Sequence, residues 1–281
     1  MDRNIEVFIA CDKNYDESKI VLFGAPFDST SSYRPGSRFA PKEIRANSYG
    51  LETYSPYQGR DLADSFVFDA GDLELRFGAP GPAVSEIQAF TEKILDDGKT
   101  PFMIGGEHLV TLGAFRAAHK KYPDIHVVHF DAHTDLRDDY LGEKLSHATV
   151  IRRVWELAGD NKIYQFGIRS GEGHEFEFAE KHMYLNKYNL SNFGNCIDAL
   201  RGKPVYFTID LDILDPSVFP GTGTPEAGGV SFLDLLDAVI KTECLNIVGL
   251  DVNELCPVYD QSGVSTATAC KIIRELLLTR Q

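Results

Sequence analysis

Eight short apolar runs alternate along this chain with longer stretches in which apolar residues recur at helical spacing. The runs are Ile20–Phe23, Phe66–Phe68, Pro101–Ile104, Ile125–Phe130, Ile163–Phe166, Met183–Leu185, Val205–Ile209 and Ile247–Leu250. The helical patterns cover Val84–Leu95, Val110–His119, Val150–Leu157, Phe232–Ile240 and Lys271–Leu278. A strand with one face in water alternates apolar and polar residues; a near-continuous apolar run needs cover on both faces. Strands of this kind alternating with helices predict an α/β chain with a parallel, doubly wound sheet. No repeat, low-complexity tract or linker interrupts the pattern, so a single domain over residues 1–281 is expected.

Such a sheet binds its ligands just beyond the carboxyl ends of its strands. There the sequence places its chemistry: "GAPFD" after the first run, "GGEH" after the third, "DAHTD" after the fourth, "GIRS" after the fifth, "DLD" after the seventh and "DVNE" at the last. In an extended segment residues i, i+2 and i+4 point the same way, so Asp131, His133 and Asp135 can converge. Asp210 and Asp212 repeat that spacing, and His108 follows Gly105 and Gly106, which permit close backbone approach. Four carboxylates packed together repel and hold protons unless something neutralises them. Two divalent cations would do so, with His108 and His133 each adding a neutral nitrogen. The oxygen-rich, thiolate-free set suits hard or borderline ions, Mn²⁺ ahead of Zn²⁺, with Co, Ni and Fe left open. A water shared by two metals about 3.5–4 Å apart ionises near neutral pH, and attack of that hydroxide on a carbon is the expected chemistry. Taken singly, Asp-x-Asp is a common turn or cap and Gly-Gly a strand-to-helix turn; those plain readings must account for each strand end independently. His119, His126, His174 and His182 read as surface or helix residues. His129 shares parity with Asp131 and His133 and is a candidate for support behind them.

The formal charge is −14, with 43% hydrophobic and 25% charged residues. No Lys/Arg cluster stands out, so nucleic acid is not an expected partner; an acidic surface suits a small cationic substrate, or simply solubility. Five scattered cysteines without a CxxC pair form neither a zinc cluster nor a disulfide framework, and read as buried free thiols in a reducing cytosol. The opening "MDRNIEVFIACDKNYDE" lacks the apolar core of a signal peptide, and no stretch approaches ~18 apolar residues. No membrane span and a cytoplasmic location are therefore expected.

These motifs, in this order, resemble the ureohydrolases, the arginase and agmatinase family. The resemblance runs from "GAPFD" and "SYRPGSRFAPKEIR" through "GGEH", "DAHTDLR", "SHAT", "GIRSG", "TIDLDILDP" and "GTGTPEAGG" to "DVNELCPVYD". It implies a three-layer α/β/α sandwich around an eight-stranded parallel sheet, two Mn²⁺ per subunit and a homo-oligomer, trimer or hexamer. One metal would take His108, Asp131, Asp135 and Asp210; the other Asp131, His133, Asp210 and Asp212, with Asp131 and Asp210 bridging. The resemblance also implies that His147 in "SHAT" relays a proton to the leaving amine, that Glu254 in "DVNE" pairs the substrate guanidinium, that Thr224 helps to bind substrate and that Asp135 stabilises the tetrahedral intermediate. The residues lean toward the agmatinase branch: agmatine cleaved to putrescine and urea. Arginases carry Asn where this chain has Arg137, and follow "GLR" with "DVD" where it has Ser170, Gly171 and Glu172. Asp138, Asp139 and Glu143 are expected near the mouth, to suit a cationic tail. Arg137 opposes that tail unless it pairs with Asp138 or Asp139, or unless the substrate is a carboxylated guanidine such as guanidinobutyrate; arginine is the other alternative.

Two rivals remain. A dinuclear phosphoesterase needs DxH first, then GD, then GN-H-[DE]; here Gly71-Asp72 and "GGEH" precede "DAH", and no GNH occurs. A catalytically silent binding homologue would be expected to lack a ligand, and all six are present. "SYRPGSRFAPKEIR" reads as a structured rim or a plain connection, with Pro35-Gly36 a turn and Pro41 opening a helix.

Overall fold

The structure, a computed structural model, describes residues 6–281. Residues 1–5, where the segment read as lacking a signal peptide begins, lie outside the described residues. All eight apolar runs are strands: β1 Ile20–Ala25, β2 Val67–Asp72, β3 Thr100–Gly105, β4 His126–Phe130, β5 Ile163–Ile168, β6 Tyr184–Lys187, β7 Pro204–Asp210 and β8 Asn246–Asn253. They form one parallel sheet in the order β2-β1-β3-β8-β7-β4-β5-β6.

Side chains alternate between the two faces, and both faces are buried along the central strands, while the edge strands β2 and β6 are partly exposed. Ile20 and Leu22 join one core, and Val21 and Phe23 the other. The helices are α1 Ala40–Ser48, α2 Pro80–Asp96, α3 Thr111–Lys121, α4 Val150–Ala158, α5 Gly173–His182, α6 Phe193–Leu200, α7 Phe232–Lys241 and α8 Val264–Leu278. Apolar residues of α1, α6, α7 and α8 cover the first face, those of α2, α3, α4 and α5 the second. This is the three-layer α/β/α sandwich expected. Helices α5 and α6 had no clear periodic signal: α5 alternates Glu with Phe, and α6 is short and contains Gly194 and Asn195. Pro41 opens α1 as expected. No helix among the described residues is long and apolar enough to cross a membrane.

Two expectations are corrected. Cys244 is exposed, while Cys11, Cys196, Cys256 and Cys270 are buried. His126 is not a surface residue: it lies on β4 with 4% exposure, because that central strand is covered on both sides.

The order of the sheet matters for the site. Strands β3, β8, β7 and β4 are consecutive neighbours, so their carboxyl ends sit side by side. These ends carry His108, Glu254, Asp210 with Asp212, and the 131–135 segment.

Candidate active site

The chain packs tightly where β3 ends. A Cβ on Gly105 would lie 1.8 Å from Asn253 Oδ1, and one on Gly106 2.1 Å from the Phe27 carbonyl oxygen. Only glycine lets these segments approach, and His108 opens the turn that follows them. His108 Nδ1 faces three carboxylates: Asp131 Oδ2 at 3.0 Å, Asp135 Oδ2 at 3.2 Å and Asp210 Oδ2 at 3.5 Å. Across the cluster, His133 Nδ1 lies 2.9 Å from Asp212 Oδ2 and 3.5 Å from Asp131 Oδ1. Asp131 thus presents one oxygen to each histidine. Asp210 does not do the same: its Oδ1 accepts the Asp212 amide at 2.8 Å, and only Oδ2 faces His108.

The donor set fits cations. His108 Nε2 contacts Thr208 Oγ1 at 2.9 Å, while Nδ1 is buried and makes no well-directed hydrogen bond. An orphaned buried nitrogen is costly, and this one is aimed at a gap between carboxylates. Two groups of ligand atoms converge closely enough to hold an ion: His108, His129, Asp131 and Asp135, and Asp131, His133 and Asp212. His129 completes a supporting chain. Its Nδ1 faces Gln165 Nε2 at 3.1 Å and its Nε2 faces Asp131 Oδ2 at 2.8 Å, so the amide fixes the tautomer that donates to the aspartate.

Carboxylates accumulate here with histidines, rather than Lys or Arg side chains, facing them among the described residues. Burial pushes the Asp210 carboxyl well up, with Asp212 and Asp131 adding to it. Burial and then Asp131 push Asp135 up to about 6. Burial would raise Asp131 too, but His129, His108 and His133 outweigh it and hold it well below the usual carboxylate range. Glu254 is raised well above its ordinary value by burial and then by Glu107. Acids kept this close lower their energy only by taking up protons or positive charge.

The backbone is strained at two of the residues expected to act. Asp135 has φ of 52° and Glu254 of 66°, the left-handed region that side chains with a Cβ seldom enter. Such strain, on the order of 1–3 kcal/mol, clusters at functional sites. At Glu254 it turns the carboxylate so that Oε1 accepts the His108 amide at 2.7 Å while the side chain lines the cavity.

The cavity is about 270 Å³ and is lined by His108, His133, Asp135, His147, Asp210, Thr224 and Glu254, among others. Asp131 and Asp212 are buried and do not line it themselves, but they contact His108 and His133, which do. Thr224 Oγ1 reaches Asp212 Oδ2 at 3.5 Å. His147 begins a helical turn over residues 147–149, capped by Ser146. Burial, then the charge of His133, lowers its imidazole to about 4. The six expected metal ligands, His147, Thr224 and Glu254 therefore lie in or against this one cavity.

Arg137 lines the same cavity, but its expected partners are corrected. Its Nη1 lies 2.5 Å from Glu172 Oε1, and its Nε 3.9 Å from Glu175 Oε2. Asp138 instead binds Arg153 at 2.9 Å, and Asp139 accepts the Gly142 amide. Asp138, Asp139 and Glu143 are exposed and do not line the cavity; the acids beside Arg137 in its wall are Glu172 and the buried Glu175. Sequence reading named Glu172 only as a departure from the arginase pattern and passed over Glu175; they stand at the N-cap and in the first turn of α5, which had no helical signal. Arg169 was missed as well. Its Nη2 binds the carbonyls of Asp212 at 2.7 Å and Glu226 at 2.8 Å, which ties the turn carrying Asp212 to the loop carrying Thr224.

Residues 18–279 match the arginase family. An agmatinase of Bacillus subtilis (strain 168) is 50% identical over 277 residues, 97% of this chain and 96% of its own. A guanidinobutyrase of Pseudomonas aeruginosa is 33% identical over 276 residues, 93% of this chain and 86% of its own. The crystal structure of the agmatine ureohydrolase of Thermoplasma volcanium superposes with a TM-score of 0.90 at 34% identity, covering 99% of this chain and 95% of that one. With its sheet order, its strand-end cluster and its sequence matched along nearly the whole length, the chain belongs to the arginase family.

Proposed function

We propose that this chain hydrolyses agmatine to putrescine and urea, acting as a cytoplasmic homo-oligomer, trimer or hexamer, with each chain a single domain. The observation that carries the reading is one acidic cavity in which Glu254 shares walls with the His108–Asp131–Asp135–Asp210 and His133–Asp212 cluster. Identity of 50% to a curated agmatinase supports the choice of substrate.

A guanidinium is planar, delocalised and permanently cationic, so it needs a carboxylate to hold it and a strong nucleophile to attack it. Glu254 spends Oε1 on the His108 amide and keeps Oε2 for the guanidinium N–H groups. That pairing also relieves the upward push on its carboxyl. Two divalent cations, Mn²⁺ by the hardness of the donors, would be held by His108, Asp131, Asp135 and Asp210, and by Asp131, His133, Asp210 and Asp212. When bound, they supply neutralisation of the carboxylates and an ionised water as nucleophile. Asp135 accepts a hydrogen bond from the carbon's new hydroxyl or amino groups as it becomes tetrahedral. His147 gives a proton to the amine as its C–N bond breaks. Thr224 helps to seat the guanidinium beside Asp212.

Glu172 neutralises Arg137, so that cation does not repel an ammonium tail, and this favours agmatine over a guanidino acid. The test is urea release from agmatine, guanidinobutyrate and arginine with added Mn²⁺. Agmatine is expected to be cleaved with the highest kcat/KM. Cleavage of arginine or guanidinobutyrate alone overturns the substrate assignment, and no urea from any of them overturns the activity.

A further inference from the structure

Glu107, the acid of "GGEH", is buried with no exposure and is not among the ligand groups. It accepts three hydrogen bonds from the loop after β1. Thr30 Oγ1 donates to its Oε1 at 2.6 Å, the Thr30 amide to Oε2 at 2.8 Å, and Ser31 Oγ to Oε2 at 3.3 Å. The far side of Thr30 faces His147: Oγ1 accepts the His147 amide at 3.1 Å and lies 3.4 Å from Nδ1. Ser146 Oγ is also near Nδ1, at 3.3 Å, and Ser32 Oγ is 3.4 Å from Nε2.

A hydroxyl has one proton. Burial pushes the Glu107 carboxyl up to about 7 against the pull of these hydrogen bonds; in its ionised form the short contact commits the Thr30 proton to it. Toward His147, Thr30 Oγ1 can then only accept. Ser146 Oγ accepts the Ala148 amide as a helix cap and can either accept a second bond from Nδ1–H or donate its own proton to a bare Nδ1, so the Thr30–Glu107 pair is the contact that chooses between the two. Hydrogen bonds of catalytic groups are often this long before substrate binds.

We propose that Thr30, oriented by Glu107, is a positioning residue that keeps the proton of neutral His147 on Nδ1 and leaves the Nε2 lone pair to the cavity. The consequence for catalysis rests on the proposed hydrolysis; the proton's place does not. Nε2 takes up a proton released as water adds to the guanidinium carbon, and gives it to the amine nitrogen as the C–N bond breaks and its electron pair moves onto that nitrogen. Through both transfers Nδ1–H stays bonded to Thr30, and the carboxylate behind it stabilises the imidazolium. Glu107 and Thr30 exchange no proton. The logic is that of a histidine oriented by a buried acid, with a threonine hydroxyl interposed.

Thr30→Val keeps the side chain's shape and removes the hydroxyl; Thr30→Ser keeps the hydroxyl. In the Mn²⁺-loaded enzyme, Thr30→Val is expected to lower kcat about 10–100-fold, with KM for agmatine changed less than about twofold and bound Mn²⁺ unchanged. Thr30→Ser is expected to stay within about threefold of the parent enzyme. Retention of kcat in Thr30→Val, or an equal loss in Thr30→Ser, overturns the proposal. Should Thr30→Val not fold, Glu107→Gln takes its place, with the same expected loss in kcat, because an amide no longer fixes the Thr30 proton. ¹⁵N NMR of the Zn²⁺-loaded protein, with His147 assigned by its disappearance in His147→Asn, reads the tautomer without any substrate. Protonated Nδ1 and bare Nε2 support the proposal, and the reverse overturns it. An enzyme inert toward agmatine would overturn the hydrolysis, and the NMR would still decide this point.

Discussion

Arg137 Nη1 lies 2.5 Å from Glu172 Oε1, so the guanidinium at the cavity wall already has its carboxylate. Arg137→Ala would free Glu172 and leave the mouth one charge more negative. The ratio of kcat/KM for agmatine over guanidinobutyrate should rise about two- to fivefold, the scale of a partly exposed charge interaction. A fall in that ratio would show that Arg137 helps to bind the substrate rather than merely being tolerated.

Asp131 offers one oxygen to the His108 group and the other to the His133 group, whereas Asp212 faces only His133. Asp131→Asn should therefore strip both ions, and Asp212→Asn only one. Metal analysis after gel filtration in metal-free buffer checks this. The activity lost should exceed the ~10–100-fold typical of residues behind the ligands. Equal metal loss in both variants would contradict the assignment.

His126 is buried on β4, its Nδ1 has no hydrogen-bond partner, and its Nε2 lies 3.5 Å from Lys162 Nζ. Burial, then the Lys162 charge, lowers its pKa from 6.5 to about 4. Below pH 6.5 the unfolded chain takes up a proton that the folded chain refuses, so stability is lost as pH falls from 6.5 toward 4. His126→Phe removes the titration. Across that window it should lose less stability than the parent, by on the order of 2 kcal/mol. Urea unfolding at a series of pH values measures the difference, and parallel curves would refute it.

Arg45 is 3% exposed and binds Asp69 through Nε at 2.8 Å; it also pairs with Asp72. Asp69 in turn accepts the amides of Phe8 and Gly71. Arg45→Met leaves that buried acid without its cation, which typically costs about 3–5 kcal/mol. The urea midpoint should drop accordingly while metal content is retained. An unchanged midpoint would mean that water reaches Asp69.

The sheet was legible because burial on both faces keeps the central strands mostly apolar, and such short runs differ from the helical spacing between them. The six cluster residues were legible from their place at strand ends, but the expected alternation is corrected: β4 ends at Phe130, Asp135 has φ of 52° and Asp212 lies in the 3-10 turn Leu211–Ile213, so turns rather than an extended segment bring them together. Strand order was not legible, since nothing local states that β8 lies between β3 and β7. Nor were contacts made by loops: Thr30 meets Glu107, and Glu172 meets Arg137, only after the chain has crossed the sheet. The acids beside Arg137 in sequence misled for the same reason, because Arg137 turns inward while Asp138 and Asp139 face solvent.

The central claim is that this cluster is a two-metal centre for hydrolysing agmatine. Urea release from agmatine, titrated with Mn²⁺ on chelator-treated protein, tests it most directly. The account predicts no urea without metal and a rise to a plateau at two ions per chain. Full activity in the metal-free protein, or none with Mn²⁺ in excess, would contradict it.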